Sequence, residues 1–160
     1  MSITALLTSW AERFVRHRNL LDRKVQNIGQ DEDTLIVTRR DGTWHYIAQE
    51  RLDLTAAGPT KEGSSKAPTS TPDRVILVVP NTKDNLKHLQ TNWPAFAKRK
   101  DLQLIFVNPS SPAEKWIINP HMHSRIADPE SLNMGLQSMF DEVGEVTADD
   151  MDTLARSKEF

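Results

Sequence analysis

The spacing of apolar and polar residues changes several times along this chain, and each spacing indicates a helix or a strand. In the first segment the large apolar residues recur three or four positions apart, which is the spacing of an amphipathic helix. Two runs of alternating, β-branched and aromatic residues then flank Asp41-Gly42, a dipeptide typical of tight β-hairpins. The pattern predicts an N-terminal helix followed by a β-hairpin. The residues assigned to the buried face of the helix are Ile3, Leu6, Leu7, Trp10, Phe14, Leu21 and Val25.

The second half of the chain contains two almost continuously apolar segments. They are RVILVVP at 74–80 and LQLIFVNP at 102–109, and this composition is typical of strands buried on both faces. The segment between them has a helical apolar stripe, with Thr82 as a candidate N-cap and Pro94 as an interruption. The sequence therefore predicts a β-α-β unit with parallel strands and a right-handed crossover.

Two shorter elements follow. KWIIN at 115–119 is a candidate strand, and the periodicity of 129–143 is helical, with Asp128 as N-cap and Pro129 as first residue. Together the elements predict an α/β fold in which an N-terminal helix and a β-hairpin precede the β-α-β unit, in a mixed sheet flanked by helices. The residues assigned to the buried face of the last helix are Leu132, Leu136, Met139, Phe140 and Val143.

A single α/β domain accounts for residues 1–145. Residues 55–73 interrupt it with a run rich in Gly, Pro, Ser and Thr and poor in large apolar groups, which predicts a flexible loop. We expect limited proteolysis to cut first within 57–71 and to leave the flanking pieces associated. Residues 146–160 are predicted to form an acidic, weakly structured C-terminal tail.

The composition excludes several classes of function. The 160 residues include no cysteine, which excludes disulfides and Cys-based metal centres. No run of about 18 apolar residues is present, and the first residues lack the features of a signal peptide. We therefore expect a cytoplasmic protein without a membrane partner. The net charge of −2 gives no general attraction to nucleic acid, so such binding needs a local basic patch.

The loops after the two parallel strands are the first candidate site. The carboxyl ends of such strands meet at one edge of the sheet, where α/β folds bind ligands, and the N-terminus of the intervening helix offers N–H groups to an anion. The alternative is that the Asn-Pro and Ser-Pro pairs only form turns and that Thr82 only caps the helix. The predicted ligand-binding residues are Asn81, Thr82, Lys83, Asn108, Ser110, Ser111 and Lys115, with His121 and His123 lining the same cleft.

The segment HMH at 121–123 has the spacing of two metal ligands on one side of an extended chain. A metal site needs a third or fourth ligand, and the obvious candidates are His45, His88 and Asp128, none at a diagnostic spacing. We therefore predict no metal, and a structural or exposed role for the two histidines is the alternative to lining the cleft. The sequence has no glycine-rich phosphate loop, and we expect no cofactor.

The basic face of the N-terminal helix is a second candidate site. It carries Arg13, Arg16 and Arg18, and such a patch can contact the phosphates of nucleic acid. A longer and flatter ligand such as duplex nucleic acid would reach it, whereas the alternative is a solvated helix face. Three aromatic residues could stack on bases if they were exposed, although core packing is the better expectation for each: Trp44, Tyr46 and Trp116.

The predicted element order over residues 3–108 resembles that of the restriction-endonuclease-like (PD-(D/E)XK) nuclease fold. In that family a carboxylate on the second strand and a D/E-x-K motif on the third hold a divalent metal. Here the second predicted strand offers Glu50 only near its end, and the third has no internal carboxylate or lysine. Pro72-Asp73 and Asn81-Thr82-Lys83 imitate the motif, with Asn in place of the acid. The resemblance therefore implies a degenerate member with a binding role.

These features lead to three hypotheses about function. The first is a non-catalytic or degenerate nuclease-like domain that binds nucleic acid or another anionic ligand at the strand-end loops. The second is a small-molecule or nucleotide-binding α/β domain that uses the same loops. The third is a protein-interaction module, which exposed apolar residues on helix 129–143 would favour. The sequence leaves open whether the chain has any catalytic activity.

Overall fold

The computed structural model describes residues 3–58, 72–147 and 149–150. Within these residues a six-stranded mixed sheet lies between helices, which confirms the predicted α/β fold. The strands, which follow chain order across the sheet, are β1 (Val25–Asp31), β2 (Thr34–Arg39), β3 (Gly42–Ala48), β4 (Arg74–Pro80), β5 (Leu102–Val107) and β6 (Lys115–Ile118). The helices are α1 (Ile3–Asp22), α2 (Lys83–Thr91), α3 (Trp93–Ala97), α4 (Pro120–Ile126) and α5 (Pro129–Val143).

The sheet has an antiparallel half and a parallel centre. β1, β2 and β3 pair antiparallel, and the turn at Asp41-Gly42 joins β2 to β3 as predicted. β3, β4 and β5 are parallel, and α2 and α3 connect β4 to β5, so the predicted β-α-β unit is confirmed. β6 returns antiparallel to β5 and begins beside its end, with Lys115 opposite Val107. The ends of β3, β4 and β5 therefore share one edge of the sheet, called the carboxyl edge below.

The helices cover the two faces of the sheet unequally. α1 packs on one face, where Leu7, Trp10 and Val15 meet alternate residues of β2 to β5. On the other face α2, α3 and α5 pack against the remaining residues of β4, β5 and β6. Because both faces are covered, every residue of β5 and all but the first of β4 are buried, as their continuous apolar runs indicated.

β1 was not predicted from the sequence. Its residues, VQNIGQD, show no clear alternation, and only Val25 and Ile28 pack against the core. The strand forms because its backbone pairs with β2 along its length. Pairing of this kind depends on the neighbouring strand and leaves no apolar signature in the strand's own sequence.

Three residues assigned to buried helix faces were placed wrongly. α1 ends at Asp22, and Arg23 takes a left-handed φ of 52° that turns the chain into β1. Leu21 is consequently 87% exposed at the end of the helix, and Val25 belongs to the strand. On α5 the buried residues are Leu132, Leu136, Phe140 and Val143, and Met139 is 40% exposed at the border of that stripe.

The predicted loop and tail are described only in part. Leu54–Ala57, at the start of the predicted loop, forms a short 3₁₀ helix, whereas residues 59–71 lie outside the described residues. Past α5, Val146 is buried against Leu6 of α1, so the packed chain continues just beyond residue 145. Residues 151–160 again lie outside the description. No helix within the described ranges has the length and apolar character needed to cross a bilayer.

Candidate functional site

A cleft of about 600 Å³ opens at the carboxyl edge. Its walls come from the chain just after β3 and β4, the first turn of α2, the start of α1 and the segment 145–147. This strand-end cleft lies where the sequence predicted an anionic ligand, because parallel strand ends meet there. Its charged lining residues are Glu50, Arg51, Lys83, Asp84 and Glu145.

Asn81, directly after β4, ties the chain beyond α5 to the sheet. Its side chain is fully buried, and its Nδ2 donates to the carbonyl oxygens of Phe140 at 3.2 Å and Gly144 at 2.8 Å. Its Oδ1 accepts a hydrogen bond of 2.8 Å from the indole N–H of Trp116. The backbone carbonyl of Asn81 accepts a further bond of 2.8 Å from the N–H of Val146. Both polar atoms of the side chain are therefore engaged within the protein.

Asn108 has a similar structural role after β5. The side chain is 6% exposed, and its Nδ2 donates to the carbonyl oxygen of Gly144 at 2.9 Å. Its Oδ1 accepts from the N–H of Ser110 at 3.1 Å, which shapes the turn toward β6. Ser111 belongs to the same turn, because its N–H donates to the carbonyl of Asn108 at 3.0 Å. These contacts show the turn-forming role that the sequence left as the alternative.

The N-terminus of α2 is occupied by groups of the chain itself. Thr82 caps the helix, because its side-chain oxygen accepts from the N–H of Asn85 at 3.2 Å. Glu145 accepts from the backbone N–H of Lys83 at 3.2 Å, and its other carboxylate oxygen lies 3.8 Å from the Nζ of Lys83. A carboxylate is what the positive end of a helix attracts. Glu145 therefore fills the position in which the sequence predicted an anionic ligand.

The charge of the strand-end cleft also opposes an anion. Three carboxylates line it against two cations, and one of those cations, Lys83, already pairs with Glu145. Buried polar groups do not indicate a ligand site here either, because among the described residues every buried side-chain nitrogen or oxygen has a hydrogen-bond partner. The cleft is therefore built mainly as a junction between α1, α2 and the segment after α5.

The structure does not bring His121 and His123 to this cleft. Because β6 runs antiparallel to β5, it carries the chain to the opposite edge, where 120–126 form α4 instead of the extended segment that the sequence suggested. Residues two positions apart on a helix point about 200° apart, so the two imidazoles do not face one ion. The Nδ1 of His121 lies 2.8 Å from the carbonyl oxygen of Ala97, and that of His123 lies 2.9 Å from the carbonyl oxygen of Asn119.

The other candidate metal ligands are dispersed. Over the part of the chain that the structure describes, no group of three or more His, Asp or Glu side chains could hold a metal ion. His45 lies on β3, where burial lowers its pKa, and His88 lies on α2. Asp128 caps α5 by accepting from the backbone N–H of Ser131 at 2.8 Å, and this hydrogen bond lowers its pKa. β3 and β4 themselves contain no Asp, Glu or Lys, so neither carries the nuclease motif.

A second groove, of about 400 Å³, lies between α1 and the start of β6. α1 contributes Trp10, Arg13, Phe14 and His17, which stand at positions i, i+3, i+4 and i+7 and therefore share one helix face. The opposite wall is Glu114 and Lys115, at the end of the loop between β5 and β6. The name α1 groove refers to these six residues below.

Phe14 is the aromatic centre of the α1 groove. It is only partly buried, and it stacks on Trp10 with a centroid separation of 5.2 Å and an interplanar angle of 11°. The guanidinium carbon of Arg18 lies 5.5 Å from the centre of the Phe14 ring, and the Nζ of Lys115 lies 5.4 Å from it. Both distances are within the range of cation–π contacts. The Phe14 ring thus contacts one cation from α1, Arg18, and one from β6, Lys115.

The predicted arginine patch divides between two surfaces. Arg16 pairs with Glu12 one turn away, at 3.1 Å, and does not line the α1 groove. Arg13 lines the groove and Arg18 lies at its aromatic centre. Within the described residues, no carboxylate forms an ion pair with Arg13, Arg18 or Lys115. Lys115, which the sequence assigned to the strand-end site, therefore belongs with the helix arginines.

The three aromatic residues considered as base-stacking candidates have structural positions. Tyr46 and Trp116 are 3% and 2% exposed, and burial raises the pKa of the Tyr46 hydroxyl. Trp44 contacts two arginines, with the guanidinium carbons of Arg39 and Arg74 at 3.9 Å and 5.0 Å from the centre of its ring. The expectation from the sequence, core packing, is confirmed for Tyr46 and Trp116.

Sequence reasoning missed the aromatic part of the α1 groove, because it assigned Trp10 and Phe14 to the buried stripe of the helix. The available signal was the position of Phe14 between Arg13 and Arg18 on adjoining turns. Glu114 carried no signal in the sequence, because its place in the groove depends on a backbone conformation, a left-handed φ of 65°. That conformation directs its carboxylate to the indole N–H of Trp10, which donates to it.

No family model, curated protein or solved structure matches this chain. The resemblance to the nuclease fold therefore stays a prediction, and any proposal about function depends on the geometry of the described residues.

Proposed function

We propose that this chain binds nucleic acid through the α1 groove. The observation that carries the proposal is Phe14, a partly exposed ring with cations at 5.5 Å and 5.4 Å from its centre. A ring bordered by cations offers a surface for a planar base beside partners for its phosphates. The strand-end cleft offers neither feature, since its lining includes no aromatic residue and its acids outnumber its cations.

The cations of the groove suit phosphate oxygens. Arg13, Arg18 and Lys115 form no ion pair with a carboxylate among the described residues, so phosphate does not have to displace a carboxylate from them. Guanidinium groups in particular match the geometry of phosphate oxygens. The local charge supplies the attraction that the net charge of −2 does not.

The proposed activity is binding. β3 and β4 contain no carboxylate for a divalent ion, and no metal-holding cluster is present in the described ranges. A binding role without intact nuclease chemistry is also what the resemblance to the restriction-endonuclease-like fold implies. The strand-end loops enter the proposal through Lys115, while Asn81, Thr82, Asn108 and Ser110 serve the fold.

Fluorescence anisotropy with a labelled mixed-sequence oligonucleotide at fixed low salt tests this proposal. The double variant Arg13→Ala, Lys115→Ala should bind at least about tenfold more weakly than the wild type, because two phosphate contacts are lost. The matched control is Arg16→Ala, Lys83→Ala, which removes the same charge from the same helix and the same sheet edge but outside the groove. The control should bind within about twofold of the wild type, because it loses only the screened, long-range attraction of the two removed charges.

Equal losses in the two double variants would contradict a localised site, since only the total charge would then matter. A larger loss in the control would move the site to the strand-end cleft and to Lys83. Absence of binding by the wild type at low salt would overturn the proposal.

Exposed methionines on α5 favour a second function, contact with another protein. Met134 is 74% exposed and Met139 is 40% exposed, which is the sign that the sequence named for an interaction module. The simplest partner to test is a second copy of the chain. Sedimentation velocity over a wide concentration range should then show self-association that Met134→Gln weakens. A monomer at every concentration would exclude this form of the hypothesis.

A further inference from the structure

We infer that the nucleic acid is single-stranded and that one of its bases stacks on Phe14. This inference rests on the proposed function and adds the class of ligand and the contact that selects it. The sequence suggested a helix face reached by a longer and flatter ligand such as duplex nucleic acid, whereas the structure shows a groove of about 400 Å³ with an aromatic ring in its wall. A groove with such a wall accepts an inserted planar group.

The arrangement of the rings supports stacking. Phe14 and Trp10 are nearly parallel, with an interplanar angle of 11°, so Trp10 covers one face of the Phe14 ring. A base that extends this stack takes the other face, where it replaces the cation–π contacts of Arg18 and Lys115. The two cations of the Phe14 ring come from different elements, Arg18 from α1 and Lys115 from β6. A base on this ring therefore has two cations close by, and their side chains can turn from the ring to the phosphates of the same strand. Every base has a π face, so this contact is tolerant of sequence.

Duplex nucleic acid does not fit this description equally well. In a duplex the faces of the bases are covered by their neighbours, and exposing one of them requires unpairing and unstacking. Only the phosphates of an intact duplex could contact Arg13, Arg18 and Lys115, and Phe14 would then contribute nothing. Preference for single strands is therefore the property that distinguishes stacking from a purely electrostatic surface.

Glu114 fixes the platform for this stack. It has the left-handed φ of 65°, an unfavourable conformation for a residue other than glycine. Its carboxylate accepts from the indole N–H of Trp10, which orients the ring on which Phe14 lies. The carboxylate is thereby engaged by a donor of the protein and is held at the wall of a groove whose other charged groups are cationic.

The experiment compares three labelled ligands on the wild-type protein by anisotropy: a single-stranded oligonucleotide, an abasic strand of the same length and phosphate count, and a hairpin duplex with the same number of phosphates. The single strand should bind about tenfold more tightly than the abasic strand, because stacking of one base is lost. The duplex should bind about as the abasic strand does. This comparison needs no variant, so it does not depend on the folding of a mutant.

Phe14→Leu then assigns the preference to its residue, because leucine keeps apolar packing on Trp10 and removes the aromatic face. The variant should bind single-stranded and abasic ligands equally, at the wild-type affinity for the abasic strand. Equal binding of single-stranded and abasic ligands by the wild type, or duplex binding as tight as that of the single strand, would overturn the inference while leaving the proposed function intact. A preference for bases that survives in Phe14→Leu would move stacking away from Phe14 and overturn the assignment. Failure of every ligand to bind would overturn both proposals.

Discussion

The strand-end cleft and the α1 groove contain similar kinds of residue and use them in opposite ways. At the strand-end cleft the polar groups bind one another. Asn81, buried between the lining residues Pro80 and Thr82, engages Gly144 and Trp116, and Lys83 pairs with Glu145. At the α1 groove Arg18 and Lys115 contact the Phe14 ring, and neither they nor Arg13 have a carboxylate partner among the described residues. The first region joins parts of the chain, and the second presents charge to solvent.

The difference teaches that the location of polar residues in a fold does not by itself identify a site. The ends of parallel strands are where α/β proteins commonly bind ligands. Here the segment after α5 lies across that edge and satisfies the groups that a ligand would otherwise satisfy. What identifies a candidate site is the charged groups that form no ion pair with a carboxylate of the described residues.

Asn81→Ala should produce the largest effect and should be purely structural. The substitution leaves the buried indole N–H of Trp116 and the carbonyl of Phe140 without this partner, and we expect a loss of about 3 kcal/mol in the free energy of unfolding. Urea denaturation measures it. Asn108→Ala, which shares only the Gly144 carbonyl, is the matched control and should lose about 1 kcal/mol. Equal losses would contradict the expectation that the buried contacts with Trp116 and Phe140 stabilise the fold more than the turn contact of Asn108 with Ser110.

The groove variant Arg13→Ala, Lys115→Ala should show the reverse behaviour. Its free energy of unfolding should stay within about 0.5 kcal/mol of the wild type, because both side chains lack ion pairs in the described structure. Its binding should depend less on salt, with the slope of log K against log salt reduced in magnitude by about 1.4 for two lost phosphate contacts on a single strand. Binding titrations from low to moderate salt measure the slope. An unchanged slope would contradict direct phosphate contact by these two residues.

Trp116→Phe should have a smaller structural effect. Phenylalanine keeps the stack on Phe106, whose ring lies 4.3 Å away, but leaves the Oδ1 of Asn81 without its donor. We expect a loss of about 1 kcal/mol in urea denaturation. The double variant Asn81→Ala, Trp116→Phe should be less destabilised than the sum of the two single losses, because both single substitutions remove the same hydrogen bond. Additive losses would show that the bond contributes no coupling.

Lys83→Ala should have the smallest effect of the four. Its Nζ lies 3.8 Å from Glu145 and its side chain is 77% exposed, so solvent screens the pair. The free energy of unfolding should change by less than about 0.5 kcal/mol, and oligonucleotide binding should be unchanged at moderate salt. A substantial loss of binding would restore the strand-end cleft as the site and reverse the comparison.

The fold was predictable where burial decides it. The runs of β4 and β5 and the caps Thr82 and Asp128 follow from composition and local hydrogen bonding, and the structure has them as predicted. β1 was not predictable, since it forms by pairing with β2. α4 was taken for an extended segment because a short helix packed on α3 and β5 has little periodicity of its own.

The candidate site was predictable in its charges and not in its assembly. Arg13, Arg18 and Lys115 were each named from the sequence, but as members of two separate sites. Their grouping depends on β6 beginning beside the end of β5, with Lys115 opposite Val107 on the face that α1 covers. Glu145 was missed altogether, since its place at the N-terminus of α2 depends on how the chain leaves α5. Such contacts between distant segments have no local signature.

The hydrogen bonds of Asn81 also set an order of events during synthesis. Its partner Gly144 lies 63 residues further along the chain, and Val146 packs against Leu6 near the other end of the described sequence. On the ribosome, a chain that has exposed α1, the sheet and α2 still lacks the segment that closes the carboxyl edge. We expect the nascent domain to stay open, with the amide of Asn81 hydrated, until Val146 has left the exit tunnel. Closure of the carboxyl edge is thus timed by the synthesis of Val146, the last buried residue of the described chain.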